Sequence, residues 1–368
     1  MALNIRHMNV IGNIKSSCNL LNAPEKNIQN DNKDLLTEEF QMQYDPLLEE
    51  EPVRLGVFAK HLLSTIDYVE NKSMVDMSEP TSLVGEVVTD GSRIYKILEY
   101  KASGGMAHVY LAQELEGKNT YAIKMMRPEL SDDKHRNLFQ LEVELIGKIK
   151  HPNIVSMYGS SYYQDMPFFV MEYADGGTLE SAIQTLPSDR FLLNMSQVCK
   201  ALNCIHQVDI IHKDVKPSNI LLFKNGVAKL ADFGIAYLSS EKRLTSKDSG
   251  VGTFSYMAPE QAKNILYPEN NFEPTPSVDL YAIGAMLYQK FTNKLPIEEP
   301  SNNRIVFLKQ IAEEKPKPPL ELNPTMHPIL ASLISTLLVK DPKQRFHKSA
   351  NQLANILQYL VKNQLLLS

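Results

Sequence analysis

The chain has 368 residues, 43% hydrophobic and 22% charged, with a formal net charge of −5. Those values suit a globular core and exclude a strongly basic nucleic-acid binder. No apolar run approaches the roughly 18 residues that a membrane helix needs, so no membrane span is predicted. Three cysteines, Cys18, Cys199 and Cys204, lack metal-ligand spacing, which predicts reduced thiols in a soluble, cytoplasmic protein. The N-terminus has no apolar signal core, so secretion into a host cell would need a non-Sec route.

The charge is uneven along the chain. Residues 1–92 hold 7 Lys and Arg against 15 Asp and Glu, and residues 93–368 hold 31 against 28. We read 1–92 as an acidic N-terminal extension. Its stretch 25–52 is rich in Asn, Gln, Asp and Glu without apolar periodicity, which predicts flexibility. A short amphipathic helix is predicted at about 56–70, where Phe58, Leu62, Ile66 and Val69 recur at helical spacing. Its apolar face would serve as padding against a neighbouring domain or as a docking surface for a regulatory partner. Residues 84–89, followed by Asp90-Gly91, read as a strand and tight turn.

From Arg93 three β-prone runs follow, at 94–101, 108–115 and 120–127. The first break holds Ser103-Gly104-Gly105, the second Gly117-Lys118-Asn119. Lys124 ends the apolar run Tyr121-Ala122-Ile123. A helix is predicted over 131–149, capped by Ser131, with Leu138, Leu141, Leu145 and Ile149 as its inward stripe. At 100° per residue Glu142 falls within that stripe, about 40° from Leu138, and Glu144 lies on the far side. A carboxylate on an apolar face is costly unless paired, so Glu142 is the natural partner of Lys124. Residues 168–174 form an apolar strand ending at Asp175-Gly176-Gly177, and the pattern then turns helical over 192–207.

Beyond that helix, Ile211-His212-Lys213-Asp214-Val215-Lys216-Pro217-Ser218-Asn219-Ile220-Leu221 places a polar loop between two strand-like pieces. Asp232-Phe233-Gly234 follows another short strand at 227–231. One amine, one amide and two carboxylates make a compact set of parts for phosphoryl transfer.

In this order the motifs resemble those of the eukaryotic-type (Hanks-type) serine/threonine protein kinases, and of soluble bacterial members in particular. The resemblance covers about residues 93–360. It implies an α+β, bilobal protein kinase fold over 93–362, with a small β-rich N-lobe (93–172) carrying one helix and a larger helical C-lobe (175–362). Ala102, Ser103, Gly104, Gly105, Met106, Ala107, His108 and Val109 would be the glycine-rich loop over the nucleotide, its first and third glycines replaced by Ala102 and Ala107. Ala122, Met171, Glu172, Ala174 and Leu221 would contact adenine, Glu172 and Ala174 through their backbones. Lys124, held by Glu142, would grip the α- and β-phosphates of ATP. Asp214 would be the catalytic base and Lys216 the cation for the transferred group. Asn219 and Asp232 would hold Mg2+, or Mn2+ in its place. Asp279 would brace the catalytic loop, and Arg345 would pair with Glu260 of Ala258-Pro259-Glu260.

The implied activity is transfer of the ATP γ-phosphate to Ser and Thr hydroxyls of protein substrates, Lys216 and Thr253 following the serine/threonine pattern. No nucleic-acid partner is expected. Lys213 departs from the family pattern, which has arginine before the catalytic aspartate. Lysine cannot make the bidentate fork that receives an activation-loop phosphate, so only a modest dependence on such phosphorylation is expected. Residues 265–276 form an insertion, read as a surface loop. Thr178 and Ser218 stand where acids would select basic substrates. The alternative reading is a pseudokinase-like scaffold that binds nucleotide and partners. Ala102, Ala107 and Lys213 favour it, and the complete set Lys124, Glu142, Asp214, Asn219 and Asp232 opposes it.

Overall fold

The computed structural model describes residues 75–130, 132–232, 254–270, 273–298, 303–346 and 348–367. The expected flexible stretch and the helix at about 56–70 lie outside them. Among the described residues no helix is long and apolar enough to cross a membrane.

Six strands make one antiparallel sheet: β1 (Val87–Thr89), β2 (Ile94–Ser103), β3 (Ala107–Glu114), β4 (Thr120–Met126), β5 (Met157–Tyr163) and β6 (Met166–Glu172). Their spatial order is β1-β2-β3-β4-β6-β5. β4 and β6 lie inside the sheet, and both read as nearly continuous apolar runs because both of their faces are buried. The sheet starts before the boundary expected at residue 93. Val88 is buried, β1 pairs with β2, and Glu86 accepts a 3.0 Å hydrogen bond from the Tyr163 hydroxyl, so this stretch belongs to the sheet's own core.

Helix α1 (Asp133–Lys148) crosses one face of the sheet. Its cap is Asp132, whose carboxylate accepts from the His135 N–H at 3.1 Å and meets the His135 ring at 2.7 Å. The expected cap, Ser131, lies outside the described residues. The most buried face lies beside the expected leucine stripe: His135, Phe139, Glu142, Val143 and Ile146 are buried, Leu138, Leu145 and Ile149 pack partly buried against the same core, and Leu141 is exposed. Phe139 packs against Phe169 of β6 with ring centroids 5.4 Å apart. Glu142 lies on the buried face, as expected.

The remainder is mostly helical: α2 (Leu179–Ala182), α3 (Ser188–His206), the hairpin β7 (Ile220–Leu222) and β8 (Ala228–Leu230), α4 (Pro259–Leu266), α5 (Ser277–Thr292), α6 (Arg304–Glu313), α7 (Pro319–Leu322), α8 (Pro328–Leu337) and α9 (Ala350–Lys362). α3 begins four residues before its expected start because Pro187 opens it and Asp189 suits its first turn. The stretch expected as a surface loop starts later than predicted, since α4 runs on to Leu266 with Ile265 buried.

α5 is apolar on nearly every side and buried accordingly. α8 approaches it closely at Gly284, where an added Cβ would stand 2.6 Å from the Leu337 Cβ. The two parts of the molecule are tied at the segment after α1. Val155 N–H donates to the Leu230 carbonyl at 3.0 Å, and Leu230 N–H to the Asn153 carbonyl at 2.8 Å.

Gly284→Ala is expected to destabilise the fold by about 1–3 kcal/mol through overpacking between α5 and α8. A chemical denaturation midpoint at the wild-type value would contradict this packing.

Candidate active site

The site starts from one lysine on β4. Lys124 is 8% exposed and lies opposite Phe169 of β6, with its ammonium 5.6 Å from that ring's centre. Its Nζ donates to Glu142 Oε1 at 2.7 Å and to Asp232 Oδ1 at 2.9 Å. Residues from the sheet, from α1 and from the segment after β8 therefore meet at one ammonium.

Burial would lower the Lys124 pKa, but the facing Asp232 and Glu142 carboxylates outweigh it and raise the pKa, so the cation persists. Burial pushes the Glu142 carboxyl up, against the pull of Lys124, and the net shift is upward. For Asp232 burial pushes up as well, but Lys124 with Lys216 pulls harder, and the net shift is downward. The negative charge is thus held most firmly at Asp232. This residue has a left-handed backbone, φ 54°.

The second group sits on the loop between α3 and β7. Asp279 of α5 is 1% exposed, and its carboxylate faces that loop. Oδ2 accepts from the His212 N–H at 3.0 Å and Oδ1 from the Lys213 N–H at 2.8 Å. The His206 ring closes on Oδ2 at 2.8 Å. The His212 Nε2 lies 3.0 Å from the Ala231 carbonyl and must donate to it, which leaves Nδ1 to accept from the Asp214 N–H at 3.3 Å. Burial lowers the His212 pKa, in keeping with that neutral tautomer.

Asp214 is then fixed from the other side. Lys216 Nζ is 2.9 Å from its Oδ2, and Asn219 donates to its carbonyl at 2.8 Å and to Oδ2 at 3.2 Å. The Ala231 N–H donates to the Asn219 carbonyl at 2.9 Å, which ties this turn to the strand leading into Asp232. Asp214, Lys216 and Asn219 thus form one network, joined to Lys124 through Asp232. A small cavity beside it is lined by Lys213, Asp214, Lys216, Tyr256, Met257 and Gln261, among others.

The eight residues expected as the glycine-rich loop form the tip of the β2–β3 hairpin. Gly104, Gly105 and Met106 make the turn, and Ala102 and Ser103 pair with Val109 and His108. Ser103 Oγ is 3.0 Å from His108 Nδ1 across it. Val109, Ala122, Met171 and Leu221 belong to one apolar cluster. Among the described residues nothing accepts from the Ala174 N–H, so this donor is available to a ligand. The Glu172 side chain is engaged: both of its oxygens lie 2.7 Å from Lys229 Nζ on β8, and it accepts from the Ser156 N–H at 2.8 Å.

Sequence reasoning assigned no role to His206, His212, Gln261 or Lys229. His206, Gln261 and Lys229 act through residues distant in sequence and have no local pattern that marks them, whereas His212 lies inside the quoted motif and its bond to the Ala231 carbonyl shows only in the fold.

The donor set suits a hard cation. Asp232 offers carboxylate oxygens, and the Asn219 amide nitrogen is committed to Asp214, which leaves its oxygen for a metal. Among the described residues no three His, Cys, Asp or Glu side chains form a closed metal cage. Magnesium characteristically keeps several waters and shares such sites with phosphate oxygens.

A match to the protein kinase domain spans residues 95–358, so the chain belongs to the protein kinase family. Among its curated relatives are bacterial proteins named as serine/threonine kinases. It is 34% identical over 273 residues to serine/threonine-protein kinase PrkC of Bacillus subtilis, covering 72% of this chain and 41% of that protein. Identity to serine/threonine-protein kinase PknB of Mycolicibacterium smegmatis is 31% over 274 residues, 72% of this chain and 42% of the relative. A probable serine/threonine-protein kinase of Clostridium perfringens shows 32% over 285 residues, 76% of this chain and 40% of its own. The chain thus spans about two fifths of the length of these relatives.

Lys124→Met should leave the buried Glu142 carboxylate without its cation, at a cost of about 3–5 kcal/mol near neutral pH. The Glu142 carboxyl would then titrate still further above its unfolded value. The variant's stability should therefore be best preserved below the carboxylate range and fall as pH rises through the raised value. Denaturation across pH checks this, and a wild-type pH profile in the variant would contradict it.

Proposed function

We propose that this chain is an ATP-dependent serine/threonine protein kinase. One observation carries the reading most: the buried Lys124 is paired with the buried Glu142 and bridges it to the half-exposed Asp232. A lysine so placed keeps its charge and a fixed position, as a phosphate grip requires. The names of the relatives agree with this reading.

Lys124 would hold the α- and β-phosphates, with Glu142 fixing its rotamer. Val109, Ala122, Met171 and Leu221 would enclose the adenine, and the Glu172 carbonyl and Ala174 N–H would meet its edge. The hairpin tip at Gly104 and Gly105 would cover the phosphates with backbone amides. Asp232 and Asn219 would hold magnesium, which neutralises charge on the phosphates. Asp214 would orient the substrate hydroxyl and take its proton on a carboxylate oxygen. Lys216, 2.9 Å from Asp214, would offset charge gathering on the transferred group. In-line transfer needs little covalent chemistry from the protein, and this division of labour supplies positioning and charge.

Lys213 places regulation outside the arginine–phosphate scheme, so activity should depend only modestly on phosphates at Thr245, Ser246 or Ser249. The acidic N-terminal extension, residues 1–92, would offer its helix at about 56–70 either as padding or as a docking site for a regulatory partner.

The test is transfer from γ-labelled ATP to generic protein acceptors, followed by phosphoamino-acid analysis. The expected result is label on serine and threonine, with Asp214→Ala lowering kcat by about 10²–10⁴-fold. Nucleotide binding without transfer by the wild-type chain would overturn the proposal in favour of a scaffold.

A further inference from the structure

Lys213, the residue before the proposed base, has φ 66°, a left-handed conformation that costs a non-glycine residue energy and persists only where its surroundings enforce it. Each polar group of its backbone is held by a side chain from elsewhere in the fold. Its N–H donates to Asp279 Oδ1 at 2.8 Å, and its carbonyl accepts from Gln261 Nε2 at 2.9 Å. The peptide that carries this carbonyl continues into the Asp214 N–H, which donates to the His212 ring at 3.3 Å.

Gln261 is 4% exposed, and it faces two ways. Its Oε1 accepts from the Ala258 N–H at 3.0 Å, capping the first turn of α4, while its Nε2 reaches the catalytic loop. The preceding residue, Glu260, is clamped by Arg345 at 2.7 and 2.8 Å, with Arg345 fully buried. Consecutive side chains therefore anchor the start of α4 in two directions, one toward the structural base of the helical part and one toward Lys213.

We propose that Gln261 is a positioning residue for phosphoryl transfer: it enforces the left-handed Lys213 and so aims the Asp214 carboxylate, coupling the seating of α4 to the geometry of the base. This rests on the kinase reading above. Without the Gln261 amide the Lys213 carbonyl loses its buried donor, and the Lys213–Asp214 peptide is free to rotate toward the right-handed region. Asp279 would still hold the Lys213 N–H, so the loop would remain attached but misaimed. ATP binding, which depends on Lys124 and the hairpin, would be spared.

Two variants separate positioning from packing. Gln261→Met keeps the volume and removes the hydrogen bonds to Ala258 and Lys213. Gln261→Glu retains the acceptor for the Ala258 N–H and removes the donor to Lys213. Expected for both is a drop in kcat of about tenfold or more, with the KM for ATP within about twofold of wild type. Thermal unfolding with and without ATP shows whether each variant is folded; if Gln261→Met does not fold, Gln261→Glu decides. Folded variants with wild-type kcat, even with a lowered unfolding midpoint, would overturn the inference and leave the kinase reading intact. A wild-type chain that transfers no phosphate would overturn both.

Discussion

The carboxylate of Asp279 sits inside the helical part of the molecule and accepts two consecutive backbone N–H groups, those of His212 and Lys213, as well as the His206 ring. A buried carboxylate without donors would be strongly unfavourable, and a polar loop without acceptors would not stay folded against an apolar helix. Each therefore needs the other. From this contact the chain continues into Asp214, Lys216 and Asn219, so the geometry of the proposed reaction centre derives from a residue more than sixty positions later in sequence. α5 can supply that anchor because it is enclosed on nearly every side by apolar neighbours, including the close approach at Gly284.

A second constraint joins the sheet to this loop. Lys124 carries one positive charge between two carboxylates, and the unequal effects of burial and neighbouring cations leave Asp232 with its pKa lowered and Glu142 with its pKa raised. The arrangement depends on three elements arriving together: β4, α1 and the segment after β8. Displacement of α1 would remove Glu142 and change the charge state of the rest. Two carboxylates around a single ammonium thus make the position of Lys124 depend on the seating of one helix.

Much of the site could be read in the sequence because its chemistry is carried by short, ordered motifs. Lys124 at the end of an apolar strand and Glu142 on a helical stripe identify each other through periodicity alone, and their 2.7 Å contact agrees with that reasoning. The stripe itself was only partly legible. Leucine spacing pointed to Leu138, Leu141, Leu145 and Ile149, whereas the most buried face bears Phe139, Val143 and Ile146, with Phe139 against Phe169. The strand and tight turn read at residues 84–91 are in place, with β1 at Val87–Thr89 pairing with β2. His212 stood inside the quoted loop motif without a role of its own, and Gln261 left no signal. One serves through a tautomer set by the Ala231 carbonyl, the other through a reach of 48 residues to Lys213, and neither partner is visible until the chain is folded. Lys213 stood out in sequence as a substitution that bears on regulation. The fold adds a second feature at this position, a left-handed backbone whose N–H is held by Asp279 and whose carbonyl is held by Gln261.

The central claim is that one buried carboxylate fixes the loop that carries Asp214. Amide hydrogen exchange at His212 and Lys213, compared between wild type and Asp279→Asn, tests it most directly. An asparagine presents one oxygen and one NH2 group, so it can satisfy only one of the two N–H donors. The account predicts slow exchange at both amides in the wild type and acceleration of at least one by about tenfold or more in the variant, with the α5 amides still protected. Equal protection of both amides in the two proteins would contradict it.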